Sequence, residues 1–246
     1  MIIKTCYCKG FIRCVSATLA IVSLIAIPEI VLSDEVESSI ARGGRLYDKW
    51  YAVIDADDPT ESHPLYPTDK KYADKAKDNW RCKECHGWDY LGKDGAYAEG
   101  KHFSGIKGIN GIAGADPATV IALLKGEPHG YAGKMEETDF QDLANFVTQG
   151  QIDTDQYIDR GAKMPINSDK TKGEVYFNTI CATCHDKSGT KPTGMKPFGD
   201  QMGNPWEVMH KIMNGHPGEQ MPAFRALDRQ IAVDVMSYMT TLPKKE

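Results

Sequence analysis

Two short stretches hold residues that can do chemistry together: "NWRCKECHGWDY" at 79–90 and "NTICATCHDKSG" at 178–189. Each places two thiols at Cys-x-x-Cys spacing with an imidazole directly behind the second. Three chemistries use paired cysteines. Two disulfides would consume all four thiols in an oxidising compartment, with three pairings open to them. A four-sulfur zinc site is the second chemistry, although the pairs at 82–85 and 181–184 lie much further apart than in a zinc ribbon. Neither of these has a use for His86 or His185. The third is covalent haem attachment, in which the thiols add to the two porphyrin vinyl groups and the adjacent histidine is carried under the iron. It accounts for every position. Cys82, Cys85, Cys181 and Cys184 are then attachment residues, His86 and His185 are iron ligands, and the expected cofactors are two covalently attached haem c groups.

Two haems need two wrappings of chain, so the supports of the motifs should repeat. The second copy is the clearer. In "TKGEVYFNTICATCH", the residues Gly173, Val175, Tyr176, Phe177 and Ile180 form one face of a short helix entering the motif. A Gly- and Pro-rich loop follows His185. Asn204 and Pro205 then read as N-cap and first helical residue, with Trp206, Met209, Ile212 and Met213 on one face and Gly215 as the stop. A last helix is expected from near Asp228, through Ile231, Val235, Tyr238 and Met239, ending before Pro243.

The first copy passes the same stations. Gly44, Leu46, Tyr47 and Trp50 suit an opening helix, and an insertion containing Pro and Asp separates it from Cys82. Asp116 and Pro117 match Asn204 and Pro205, followed by Val120, Ile121, Leu124 and a stop at Gly126. Thr138 with Gln141 reads as a capping box for a helix carrying Phe140, Leu143, Ala144 and Val147 and stopping at Gly150. The expected fold class is therefore mostly α, with two helical haem-binding domains in tandem at 34–150 and 169–246. A polar linker at 151–168 joins them.

The N-terminus has a different character. Lys4, Lys9 and Arg13 precede an apolar run from Val15 to Ile27, and Val31-Leu32-Ser33 leads into Asp34-Glu35. This is the layout of a secretory signal peptide at 1–33, cleaved after Ser33. A membrane anchor needs roughly 20 apolar residues, so contact with a membrane is expected only if this segment is kept. Its removal takes Cys6, Cys8 and Cys14 with it, so that only the four motif cysteines remain. The formal charge moves from −5 to −7, with 26 basic residues left against 33 acidic. An exported, moderately acidic chain excludes nucleic acid and anionic membrane surfaces as expected partners. The bacterial periplasm is its expected location.

With motifs and repeat in place, the chain resembles class I c-type cytochromes, here in tandem, over about residues 40–150 and 168–243. The resemblance implies two cytochrome c-like domains and a sixth iron ligand from a loop methionine before each final helix, at Met135 and Met221. Met221-Pro222 keeps the family's Met-Pro pair, whereas Met135 is followed by Glu136. His102, His129 and the more remote Met164-Pro165 compete for the first iron, and His210 and His216 for the second. A thioether opposite histidine raises the potential of the iron. The implied role is to accept and donate single electrons between redox protein partners, as a carrier rather than an enzyme. Two rivals stand beside it: a catalytic haem oxidoreductase with an open first iron, acting on peroxide or small sulfur or nitrogen compounds, and an electron-transfer subunit of a larger dehydrogenase, which would use the same ligands. Three roles are open to the insertion at 53–80: covering a haem edge, docking a partner, or decorating the surface, the commonest fate of such segments.

Overall fold

Helix-favouring and apolar positions at 3.6 spacing dominate the chain, and the computed structural model, which describes residues 29–245, is mostly helical. The expected signal segment lies outside the described residues, except that residues 29–33 open the first helix.

Two helix crossings organise the molecule. In the first half, α1 (Glu29–Val53), interrupted at Lys49, crosses α5 (Glu137–Asn145). The approach is close because residue 43 is glycine; a Cβ there would overlap the carbonyl oxygen of Asp142. In the second half, α6 (Lys170–Tyr176) crosses α10 (Arg229–Met239), and a Cβ on Gly173 would overlap the carbonyl oxygen of Asp234. One helical turn beyond each glycine, a buried ring meets a ring one turn beyond each aspartate. Tyr47 lies 5.3 Å from Phe146, and Phe177 lies 5.4 Å from Tyr238, between centroids. A single π-helical turn follows α5 at Phe146–Gly150 and α6 at Phe177–Cys181.

Shorter helices complete each half. In the first, α2 (Ala76–Asn79) and α3 (Cys82–His86) precede α4 (Pro117–Lys125). In the second, α7 (Ala182–His185) and α8 (Phe198–Gln201) precede α9 (Pro205–Asn214). Several boundaries follow the expected caps. Asp116 accepts from Ala118 N at 2.9 Å, with Pro117 opening α4. Asp228 accepts from Gln230 N at 2.9 Å, and Gly215 ends α9 with a φ of 86° that a side chain would resist.

Other expectations differ from the structure. The capping box of α5 is formed two residues earlier than expected, where Glu136 N donates to Asp139 at 2.9 Å; acidic side chains meet the positive end of the helix better than Thr138 and Gln141 do. Asn204 does not cap α9 with its side chain, because its amide donates to Glu207 instead. Val175 and Ile180 are exposed, since the buried face of α6 and its π turn is set by Gly173 and Phe177.

The halves are in contact. The stretch 151–168 is not a free tether: β1 (Ile158–Asp159) pairs antiparallel with β2 (Met164–Pro165), and Ile152 and Ile158 are buried in the second core. Trp88 and Tyr97, which follow the first motif, join that same core. Across the interface, Asp48 of α1 is fully enclosed between Arg81 and Lys211. His210 donates from Nε2 to Gly44 O at 2.9 Å and accepts from Tyr90 at Nδ1, 3.0 Å away.

Candidate haem-attachment sites

A cysteine, a cysteine three residues later and a histidine one further fall on one side of a single helical turn. α3 supplies that turn for Cys82, Cys85 and His86, and the junction of the π turn with α7 supplies it for Cys181, Cys184 and His185. Among the described residues all four cysteines are free, and no group of three or more His, Cys, Asp or Glu side chains is placed to hold a bare metal ion. The zinc and disulfide chemistries therefore have no geometry to support them here.

Both histidines are oriented in the same way. His86 Nδ1 donates to the Lys107 carbonyl at 2.7 Å, and His185 Nδ1 donates to the Lys191 carbonyl at 3.0 Å. A carbonyl only accepts, so each bond fixes the tautomer and leaves Nε2 free to serve as a ligand. Burial lowers the His86 pKa to about 4 against the opposing pull of the Lys107 carbonyl, so the imidazole is neutral, the form that binds metal.

The first site is enclosed. A cavity of about 650 Å³ opens beside Cys82, Cys85 and His86, walled by Ile109, Val120, Leu124, Leu143 and Val147 among others. Its volume and apolar lining suit a cofactor, and burial pushes both thiols up to about 12. The insertion supplies part of the wall through His63 and Leu65. Its far end is a cluster of aromatic rings in which Trp80 lies 4.4 Å from His63 and 5.3 Å from Tyr131.

The competing donors to the first iron are dispersed. Met135 is buried in the core of the first half and does not line the cavity. His102 is bound to the fully buried Glu84 at 2.8 Å and stacked between Tyr72 and Tyr97, at 5.0 and 4.6 Å. Met164 is exposed on β2. His129 does line the cavity, its ring 6.5 Å from that of His86.

The second site is more open. Cys181 is partly buried, with burial pushing its thiol up to about 11, whereas Cys184 is exposed. Phe198 packs 4.7 Å from the His185 ring. Met221 sits in the loop between α9 and α10, partly buried against the second core, and a Cβ on Gly215 would come within 2.5 Å of its carbonyl oxygen. Of the competitors, His210 has both ring nitrogens engaged at the interface, and His216 donates from Nδ1 to the Pro217 carbonyl at 3.0 Å.

Sequence reasoning missed His63, Lys83 and Glu84. His63 stands in the insertion, whose role the sequence leaves open. Lys83 and Glu84 fill the variable positions of the first motif, where charged residues ordinarily face solvent, yet they pair with each other at 2.7 Å in the interior.

This geometry agrees with comparison to known families. Residues 168–239 match the family model described as cytochrome C oxidase, cbb3-type, subunit III, so this stretch of the second half is similar to a class I c-type cytochrome domain. Such a domain holds haem c, with its iron, covalently and transfers electrons to redox partners. No curated protein matches the chain. Among the described residues no helix is long and apolar enough to cross a membrane.

Proposed function

We propose that the chain is an exported, periplasmic di-haem c-type cytochrome that accepts single electrons from one redox protein and donates them to another. In this reading residues 1–33 are a signal peptide, and residues 34–150 and 169–246 are two cytochrome c domains. Cys82, Cys85 and His86 hold the first haem, and Cys181, Cys184 and His185 the second, with Met221 as its sixth ligand. One observation carries the reading: both motifs present two cysteines and a histidine on one turn, with the histidine Nδ1 bonded to a backbone carbonyl of the loop that follows. When bound, the haems supply the redox chemistry; the protein attaches them, orients the imidazoles and shields the first site.

The test is haem stoichiometry. Mass spectrometry of the denatured chain should show two covalently bound haems and a mature N-terminus at Asp34. Replacing Cys82 and Cys85 with alanine, or Cys181 and Cys184 with alanine, should each remove one. A single haem that survives only in variants retaining Cys181 and Cys184 would leave a mono-haem protein and sink the reading.

The matched family description names an oxidase subunit, which favours one alternative: electron transfer within a larger assembly. Size-exclusion chromatography at native expression level distinguishes them, since an assembly subunit elutes with its partners and a carrier elutes alone.

A further inference from the structure

We propose that His129, rather than a methionine, is the second axial ligand of the first iron, an inference that rests on the di-haem reading above. The first argument is register. In the second half Met221 stands thirteen residues before Asp234, the residue whose carbonyl meets Gly173 at the helix crossing. In the first half the residue thirteen before Asp142, whose carbonyl meets Gly43, is His129. Counting from the N-caps of the final helices agrees: His129 lies seven residues before Glu136, and Met221 seven before Asp228. Met135 is immediately before its N-cap and has no counterpart to Met221.

The second argument is geometry. The His86 and His129 rings face one another across the cavity with centroids 6.5 Å apart and planes at 31°. A metal held at about 2 Å by one nitrogen of each ring would fit such a gap. The separation is too long for a hydrogen bond between the rings and lies at the long end of the range for aromatic contacts.

The third argument is that the loop is held in place. His63 accepts from Leu65 N at Nδ1, 3.2 Å, so its Nε2 carries the proton and donates to the His129 carbonyl at 3.1 Å. The peptide N–H of His63 is itself anchored on Asn79 at 2.9 Å. The insertion thus acts as a brace: it closes the cavity and fixes the loop that carries His129. Histidine on both sides of the iron gives a closed site of lower potential than histidine with methionine.

The experiment uses the full-length holoprotein, with total haem measured after denaturation in every sample. The oxidised wild type should show methionine-to-iron charge-transfer absorption equal to one haem of two, and its reduced form should not bind carbon monoxide. Met135→Leu, a volume-conserving change, should leave both results unaltered. His129→Ala should keep two haems and bind carbon monoxide at one. Charge-transfer absorption equal to two haems, its loss by half in Met135→Leu, or carbon monoxide binding by the wild type would each overturn the assignment. If His129→Ala does not accumulate, the wild-type and Met135→Leu spectra decide. A denatured chain with only one haem tells against the di-haem reading itself, not against the choice of ligand.

Discussion

The two attachment sites share their proximal side and differ in almost everything else. Each has a turn of helix, two thiols and an imidazole held by a backbone carbonyl, and each is anchored to a helix crossing that only glycine permits. The first is then roofed by an insertion, with a cavity whose walls include both partly buried thiols and a second histidine. In the second, α6 passes through its π turn directly into the motif, and Cys184 is exposed. The difference teaches that the motif determines attachment and proximal geometry, while the loops around it determine enclosure and the opposite ligand. Since enclosure and axial ligation set a haem's potential, two haems bound as proposed would be unequal electron sites built on one plan.

The largest expected effect concerns what joins the sites. Asp48 is interior, where burial opposes its charge, but Lys211 of the second half and Arg81 of the first outweigh this and hold its carboxyl below the ordinary 3.8. A depressed carboxylate stabilises the fold above the unfolded pKa and loses that contribution as pH falls through the folded one. Removing one partner of a buried ion pair costs about 3–5 kcal/mol. Asp48→Asn should therefore lower the melting temperature of the holoprotein at neutral pH and flatten its decline below pH 3.8. Equal melting of variant and wild type at neutral pH would mean that this pair does not hold the halves together.

Next in size are the crossings. Gly43→Ala and Gly173→Ala each force a methyl group into a backbone carbonyl, and overpacking of this kind costs about 1–3 kcal/mol. Urea denaturation should show comparable losses from both. If one substitution were tolerated and the other not, the two halves would not be built on the same crossing, and the register that pairs His129 with Met221 would lose its anchor.

That register also shows what was legible in the sequence. The motifs, the Asp116-Pro117 start, the Asp228 cap and the Gly215 stop were readable because each is a local signal whose physics lies within a few residues. The resemblance points to Met135 by residue type, as a loop methionine like Met221. Counting back from Asp142 and Asp234 gives His129 instead, but those aspartates are marked only by where their carbonyls lie against another helix. Gly43 and Gly44 pose the same problem: the first serves the crossing with α5 and the second clears Asn214 of α9, and neighbours in sequence do not declare different partners. The brace formed by His63 was hidden for a similar reason, since its acceptor is 66 residues away.

The smallest expected effect is the sharpest test of the difference between sites. If both haems are bound and His129 ligates the first as proposed, a redox titration should resolve two one-electron waves, the lower belonging to the first site. His63→Phe keeps a ring beside Trp80 but removes the donor to the His129 carbonyl. A lost hydrogen bond is worth about 1 kcal/mol, on the order of 40 mV in a one-electron couple. Loosening the His129 loop weakens a ligand that favours the oxidised iron, so the lower wave should move up by about that amount while the upper wave stays in place. A purely structural role for His63 would lower stability and move neither wave. Movement of the upper wave alone would place the influence of the insertion on the second site, contrary to the contacts that hold it over the first.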